Sequence, residues 1–347
     1  MPARCPLSMT PVLHITNGDS AGIKIERTGI PGRVLPWRDI LHEGPVPAGL
    51  SLTELSRVRA QFIADRGWAP EAEVLASFAE RDTLLATSRD CEEVVLWFEH
   101  DLYDQLQLTQ ILDWLAGRSA AAAQVTLICI DEFPGRPAFK GLGELTAEEL
   151  ASLYPGRVPV STDQVDLAAR AWSAFTSPDP TAIEALLAGD TNALPFLRPG
   201  FSRFLEEFPA VHDGLSRTER QVLASIESGK RTPVDIFLAD QDQEDYFFPG
   251  DLAVWTKLAE LGRGPYPLIS LMDGRPFTLP TGYPTGPEFH SQEVVLTEVG
   301  RRVLAGEADR VALNGIDRWY GGTHLRGQRP RWRWDGDRRR LVESPGH

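Results

Sequence analysis

Four short apolar runs mark the first part of the chain: Val12–Thr16, 34–37, 94–98 and 125–130. They are rich in Val, Ile and Leu without clean alternation, the pattern of parallel strands covered on both faces. Between them, segments 52–64, 71–86 and 102–115 repeat their apolar residues at helical spacing. In the last, Leu102, Leu106, Leu108, Ile111, Leu112 and Leu115 form the stripe, and Gly117 suits the stop. Strand and helix in alternation predict a parallel sheet with right-handed crossovers. The expected fold class is α/β, a Rossmann-like domain over residues 11–145.

The text then turns helical. Thr146-x-x-Glu149 is a capping box, and segments 162–175 and 181–187 follow with their own cap residues. Prolines 178, 180, 195, 199 and 209 cut this stretch into short pieces, a helical connector over 146–212. A third pattern occupies 213–347. Ser216-x-x-Glu219 opens one helix, Thr232-Pro233 a second and Gly250-Asp251 a third, with Leu252, Trp255, Leu258 and Leu261 as its apolar side. Residues 267–271, the Asp273-Gly274 turn and 276–279 then read as a hairpin, and a terminal hairpin turns at Asp335-Gly336. Three helices followed by a two-stranded wing predict an α+β, winged-helix-like domain.

Composition narrows the partners. Lys and Arg number 35 against 49 Asp and Glu in 347 residues, a net charge of −14. Such a chain repels nucleic acid and anionic lipid unless basic residues are concentrated locally. The third helix carries Asp251, Lys257 and Glu260, and the loop before it holds Asp240, Asp242, Glu244 and Asp245, so DNA is not the expected partner. Only the tail leans the other way, with seven arginines against three acidic residues from 324 to 347. Trp332 and Trp334 share one strand face there, either packed on the domain or free to stack bases. Three cysteines (Cys5, Cys91, Cys129) are too few for a disulfide framework or zinc finger. No apolar run reaches membrane-spanning length, and residues 1–10 lack the apolar core of a signal peptide. A cytoplasmic protein with no membrane partner is expected, of undetermined oligomeric state.

Ligands of open parallel sheets bind outside the carboxyl ends of the strands, and each expected strand here is followed by polar residues. Asn17-Gly18-Asp19-Ser20 follow the first. Asp39, His42 and Glu43 follow the second, and Glu99-His100-Asp101 the third, with Asp104 and Gln105 one turn on. Asp131-Glu132 follow the fourth. Parallel strands bring these loops to one edge, where crowded carboxylates either shift one another's pKa values or hold a divalent cation. The candidate catalytic set is His42, His100, Asp39, Asp19, Ser20, Glu99 and Asp101, with Asn17 and Gly18 holding a small-molecule ligand. His42, Glu43, Glu99, His100 and Asp101 are the candidate metal ligands. A phosphate here needs a cation or the counter-charges Arg38, Arg57, Arg59, Arg81 and Lys140. Each piece also has a plain structural role: a helix cap at 17–20, a loop cap at Asp39 and His42, an acidic first turn at 99–101. His14, inside a strand, reads as a core histidine. Neither a GxGxxG nor a P-loop motif is present. Asn17-Gly18-Asp19-Ser20 and the Asp39-x-x-His42 spacing resemble SGNH-type esterases, whose Asp-x-x-His pair nevertheless lies near the C-terminus.

The segments His14–Ser20, Trp37–Pro45 and Trp97–Gln105 together resemble the bacterial domain-of-unknown-function 1835 family. Phe248-Pro249-Gly250-Asp251, Thr297-Glu298-Val299-Gly300 and Asp317-Arg318-Trp319-Tyr320-Gly321-Gly322 resemble domain of unknown function 3658. The resemblance spans roughly 12–135 and 215–335 and implies an architecture without an activity. Three functions stay open. One is an enzyme on a nucleotide or phosphorylated metabolite, a hydrolase or transferase aided by a divalent metal. The others are a ligand-sensing regulator and a protein-interaction adaptor using the winged-helix-like domain.

Overall fold

The computed structural model describes residues 12–117, 123–137, 139–279 and 285–344. Segment 1–10, with Cys5, lies outside them. The described residues up to Phe201, with Trp319–Thr323, form one compact unit, and the remainder form a second.

The first unit opens with β1 (Val12–Thr16), α1 (Asp19–Glu26), β2 (Arg33–Pro36) and the short β3 (Gly44–Pro45). Next come α2 (Leu52–Asp65), α3 (Glu71–Thr87), β4 (Glu93–Glu99), α4 (Leu102–Ala116) and β5 (Gln124–Ile130). After these come α5 (Ala147–Leu153), β6 (Val158–Pro159), α6 (Thr162–Phe175) and α7 (Thr181–Ala188). The sheet order is β2-β1-β4-β5-β6, with the first four strands parallel and β6 antiparallel at one edge. The α/β expectation therefore holds, and its four strands fall where the apolar runs placed them. From β1 the chain winds first to β2 on one side and then to β4 on the other, so the switch point lies between β1 and β4.

Burial explains the strand text. Val94 to Phe98 of β4 are all buried, as are Leu13 and Ile15 of β1. His14 is the core histidine its position suggests: Trp97 Nε1 donates to its Nδ1 at 3.2 Å, and its Nε2 faces the Pro31 carbonyl at 3.3 Å. Helix α4 lies against both β4 and α6, so its polar residues are buried too. Gln107 Nε2 donates to the carbonyls of Trp37 (2.9 Å) and Asp39 (3.0 Å), and Gln110 accepts from Trp37 Nε1 at 3.0 Å. These bonds tie the loop after β2 to the helix after β4.

Helix α8 (Leu197–Leu205) leads into the second unit, which contains α9 (Arg217–Glu227), α10 (Pro233–Gln241), α11 (Asp251–Leu261) and β7 (Ile269–Leu271). Then come α12 (Pro287–His290), β8 (Val294–Leu296), α13 (Glu298–Leu304) and α14 (Arg310–Asn314). Strands β9 (Ile316–Gly321), β10 (Thr323–Gly327), β11 (Trp332–Asp335) and β12 (Arg340–Glu343) close the chain. Tyr320 and Gly321, at the end of β9, belong to the first unit and pair with β3. The capping boxes at Thr146 and Ser216 are formed, and Thr232 caps α10 with Pro233 at its first position. The winged-helix-like order is present, ending in the β11–β12 hairpin, but the wing is built differently from expectation. The Asp273-Gly274 turn forms, with Gly274 N bonded to the Leu271 carbonyl at 2.8 Å. The antiparallel partner of β7 is β8, not 276–279. Pro276 has no N–H to give a ladder, whereas Val294, Val295 and Leu296 suit a half-buried strand. Trp332 is buried and Trp334 half-buried, so the tail tryptophans pack rather than stand clear for stacking.

Candidate functional site

Asp101 is the N-cap of α4: its Oδ1 accepts from the Asp104 amide at 2.8 Å, which fixes the Asp-x-x-Asp turn. Asp104, three residues on, points back to the end of β4, and its Oδ1 accepts from the Glu99 amide at 2.8 Å. Across the switch point, Asn17 Nδ2 donates to Glu99 Oε1 (2.7 Å) and to Asp104 Oδ2 (2.9 Å). Tyr103 secures Asn17 in turn, donating its hydroxyl to the Asn17 carbonyl at 3.1 Å. The result is a triad of Glu99, Asp101 and Asp104. One oxygen from each lies within 4.8 Å of the others, and all three residues are buried.

Among the described residues no Arg or Lys pairs with these carboxylates; their donors are amides. Burial therefore dominates their titration. It pushes Asp101 up to about 7. Burial, then the charge of Asp101, raises Glu99 well above the ordinary range, and burial, then Glu99 and Asp101, does the same to Asp104. At neutral pH such a cluster either keeps protons or holds a cation. Its donors are hard oxygens, and each hydrogen-bonded carboxylate oxygen retains a second lone pair. That set suits Mg²⁺ or Mn²⁺. The structure thus fits a divalent ion at the carboxyl edge of the sheet.

The other sequence candidates are placed elsewhere. Asp19 lies at the surface, its carboxylate paired with Arg38 at 2.6 Å. Ser20, also exposed, donates to the Gly143 carbonyl at 3.2 Å. Gly18 caps α1 with extended backbone and no side-chain cap bond. Asp39 is fully buried, but Arg59 Nε donates to its Oδ1 at 2.9 Å, while the rest of that guanidinium binds the Glu43 (2.6 Å) and Ile40 (2.8 Å) carbonyls. This pair shapes the loop 39–45, and no helical turn aligns Asp39 with His42. His42 is buried, its ring edge-on to Tyr103 at 6.1 Å. His100 is buried between Phe139 and Phe196, its Nδ1 3.3 Å from the Ile130 carbonyl. Burial lowers its pKa, opposite to the rise its carboxylate neighbours in sequence suggest. Asp131 and Glu132 remain exposed.

Two participants escaped sequence reasoning. Asp104 is noticed there only as a neighbour, though its i, i+3 spacing from Asp101 is the signal that finds it. The segment 141–144 carries no signal: it comes back from β5 to lie against the Glu99 carboxylate, and the Leu142 amide donates to Glu99 Oε2. Two surface clefts flank this unit. One of about 550 Å³ follows β2 between α1 and α3, and one of about 880 Å³ lies beside α6; the triad lines neither. No family model and no curated protein matches the chain. No helix among the described residues is long and apolar enough to cross a membrane.

Proposed function

We propose that the first unit is a small-molecule enzyme acting on a nucleotide or phosphorylated metabolite, a hydrolase or transferase assisted by a divalent cation. The observation that carries it is the Glu99, Asp101 and Asp104 triad, buried, with no basic partner among the described residues, at the switch point of a parallel sheet. A divalent ion there would polarise a phosphoryl oxygen and lower the pKa of a water. Glu99, Asp101 and Asp104 would hold it. Asn17 sets the spacing of two of these carboxylates, and the Asp101 cap holds the third against α4. His42 and His100, packed against Tyr103 and between Phe139 and Phe196, keep structural roles, and general acid–base work falls to the carboxylates.

Calorimetric titration with Mn²⁺ at pH 8 is the first test. One site per chain is expected, with Glu99→Gln weakening it at least thirtyfold and phosphoester hydrolysis across a nucleotide panel lost in parallel. A wild-type chain that ignores Mn²⁺ at pH 8 overturns the reading. The alternative, a ligand-sensing regulator or adaptor, places the readout in the second unit. No residue of α11 is exposed, and Lys257 is buried 3.6 Å from Glu207. That burial speaks against a helix entering the major groove and favours the enzyme.

A further inference from the structure

Segment 141–144 touches two chemically opposite places at once. On one side the Leu142 amide donates to a triad carboxylate, Glu99 Oε2. On the other, the next residue's carbonyl, that of Gly143, accepts from both Ser20 Oγ, at 3.2 Å, and Lys24 Nζ. Ser20 and Lys24 are four apart on α1, so one helix face aims a hydroxyl and an ammonium at a single oxygen. Both glycines are needed for the approach. Gly141 has φ 152°, and a Cβ there would collide with the Glu99 carboxylate; a Cβ on Gly143 would lie 2.9 Å from Ser20 Oγ. The segment thus presents the Leu142 N–H to the acidic side and the Gly143 C=O to the basic side. That is the polarity of a cation bridged to an oxyanion.

We propose that Ser20 and Lys24 form the phosphoryl-oxygen subsite of the substrate, and that segment 141–144 is a strap whose Gly143 carbonyl takes the position of that oxygen and must be displaced for substrate to bind. This rests on the triad being a cation centre. Dimensions agree: Leu142 and Gly143 are adjacent, with Cα atoms about 3.8 Å apart. Glu99 and the two α1 donors are therefore separated by little more than a dipeptide and its hydrogen bonds, the span of a cation-bridged phosphate. The phosphate needs Lys24 because the neighbouring carboxylates would otherwise repel it.

Hydrogen–deuterium exchange and calorimetry on the full chain test this with Mn²⁺ and inorganic phosphate as probes. Saturating phosphate with Mn²⁺ should speed exchange across 139–144 at least tenfold. Lys24→Met should weaken phosphate binding about tenfold while Mn²⁺ alone binds within twofold of wild type. Ser20→Ala, exposed and structurally mild, should weaken phosphate at least threefold and serves if Lys24→Met folds poorly. A strap that stays protected at saturating phosphate, phosphate binding indifferent to both variants, or no phosphate binding at all overturns the proposal. Should Mn²⁺ alone fail to bind wild type, the cation centre falls; phosphate binding that still requires Lys24 and still releases the strap then upholds the subsite by itself.

Discussion

Asp101→Asn separates the electrostatics of the triad from its architecture. Asn caps a helix as well as Asp does, so the α4 N-terminus survives the change. What disappears is an ionisable group that burial raises from 3.8 to about 7. At about 1.4 kcal/mol per pH unit, that difference is worth about 4 kcal/mol. The sign follows from proton binding. Below about pH 4 both folded and unfolded forms hold the proton, and folding is indifferent to it. Between about 4 and 7 the unfolded chain releases the proton and the folded chain keeps it, so wild type loses stability as pH rises. Above about 7 the full penalty is present. Urea denaturation of metal-free protein at half-unit steps from pH 4 to 8 should show the variant gaining on wild type by about 4 kcal/mol across the window. Saturating Mn²⁺ should close the gap at pH 8, because a cation rewards the ionised wild-type cluster. Stability curves that run parallel from pH 4 to 8 refute the assignment of the titration to the buried Asp101.

Arg59→Met removes the guanidinium that donates to the buried Asp39 carboxylate and leaves Arg81, 3.9 Å from Asp39 Oδ2, as its remaining counter-charge among the described residues. The change should cost about 3 kcal/mol in denaturant titrations, with Arg59→Met plus Asp39→Asn recovering part of it. His100→Ala removes a ring packed between Phe139 and Phe196, so the loss read by thermal melting should be about 2–4 kcal/mol, as for other large-to-small core changes. In the second unit, burial raises the Glu207 carboxyl, but Arg203 and Lys257 outweigh it and hold it far below the usual range. Its contribution is therefore present at neutral pH and lost on acidification. Glu207→Gln should lower the melting temperature at pH 7 and make less difference at pH 3, the opposite pH trend to Asp101.

The two units differ in how their sequences announce buried charge. Ser216-x-x-Glu219 is legible as a capping box, yet Glu219 also meets Arg310 at 3.4 Å and Arg318 at 3.1 Å, residues about a hundred positions later. A local motif states one partner of a side chain and is silent about the others. The wing shows the same limit: the Asp273-Gly274 turn is visible, while the choice of Val294–Leu296 as partner depends on which apolar segment the folded core covers.

In the first unit, the four parallel strands, the helices α2, α3 and α4 and the carboxyl edge of the sheet were determined by the sequence alone. Strands and helices carry their periodicity within a few residues, because burial on one or both faces dictates which positions are apolar. Parallel strands then commit their following loops to one edge, so Asn17, Asp39, Glu99 and Asp101 were bound to gather there. Tertiary structure decided which of them share a centre. Asp39 went to Arg59, twenty residues downstream, and Asp19 to Arg38, leaving Glu99 and Asp101 to meet Asp104 with no basic partner among the described residues. A carboxylate's environment is set by whichever charges and amides the long-range fold brings within a few ångströms, and Coulomb energy in a low-dielectric interior depends on that distance and not on separation along the chain.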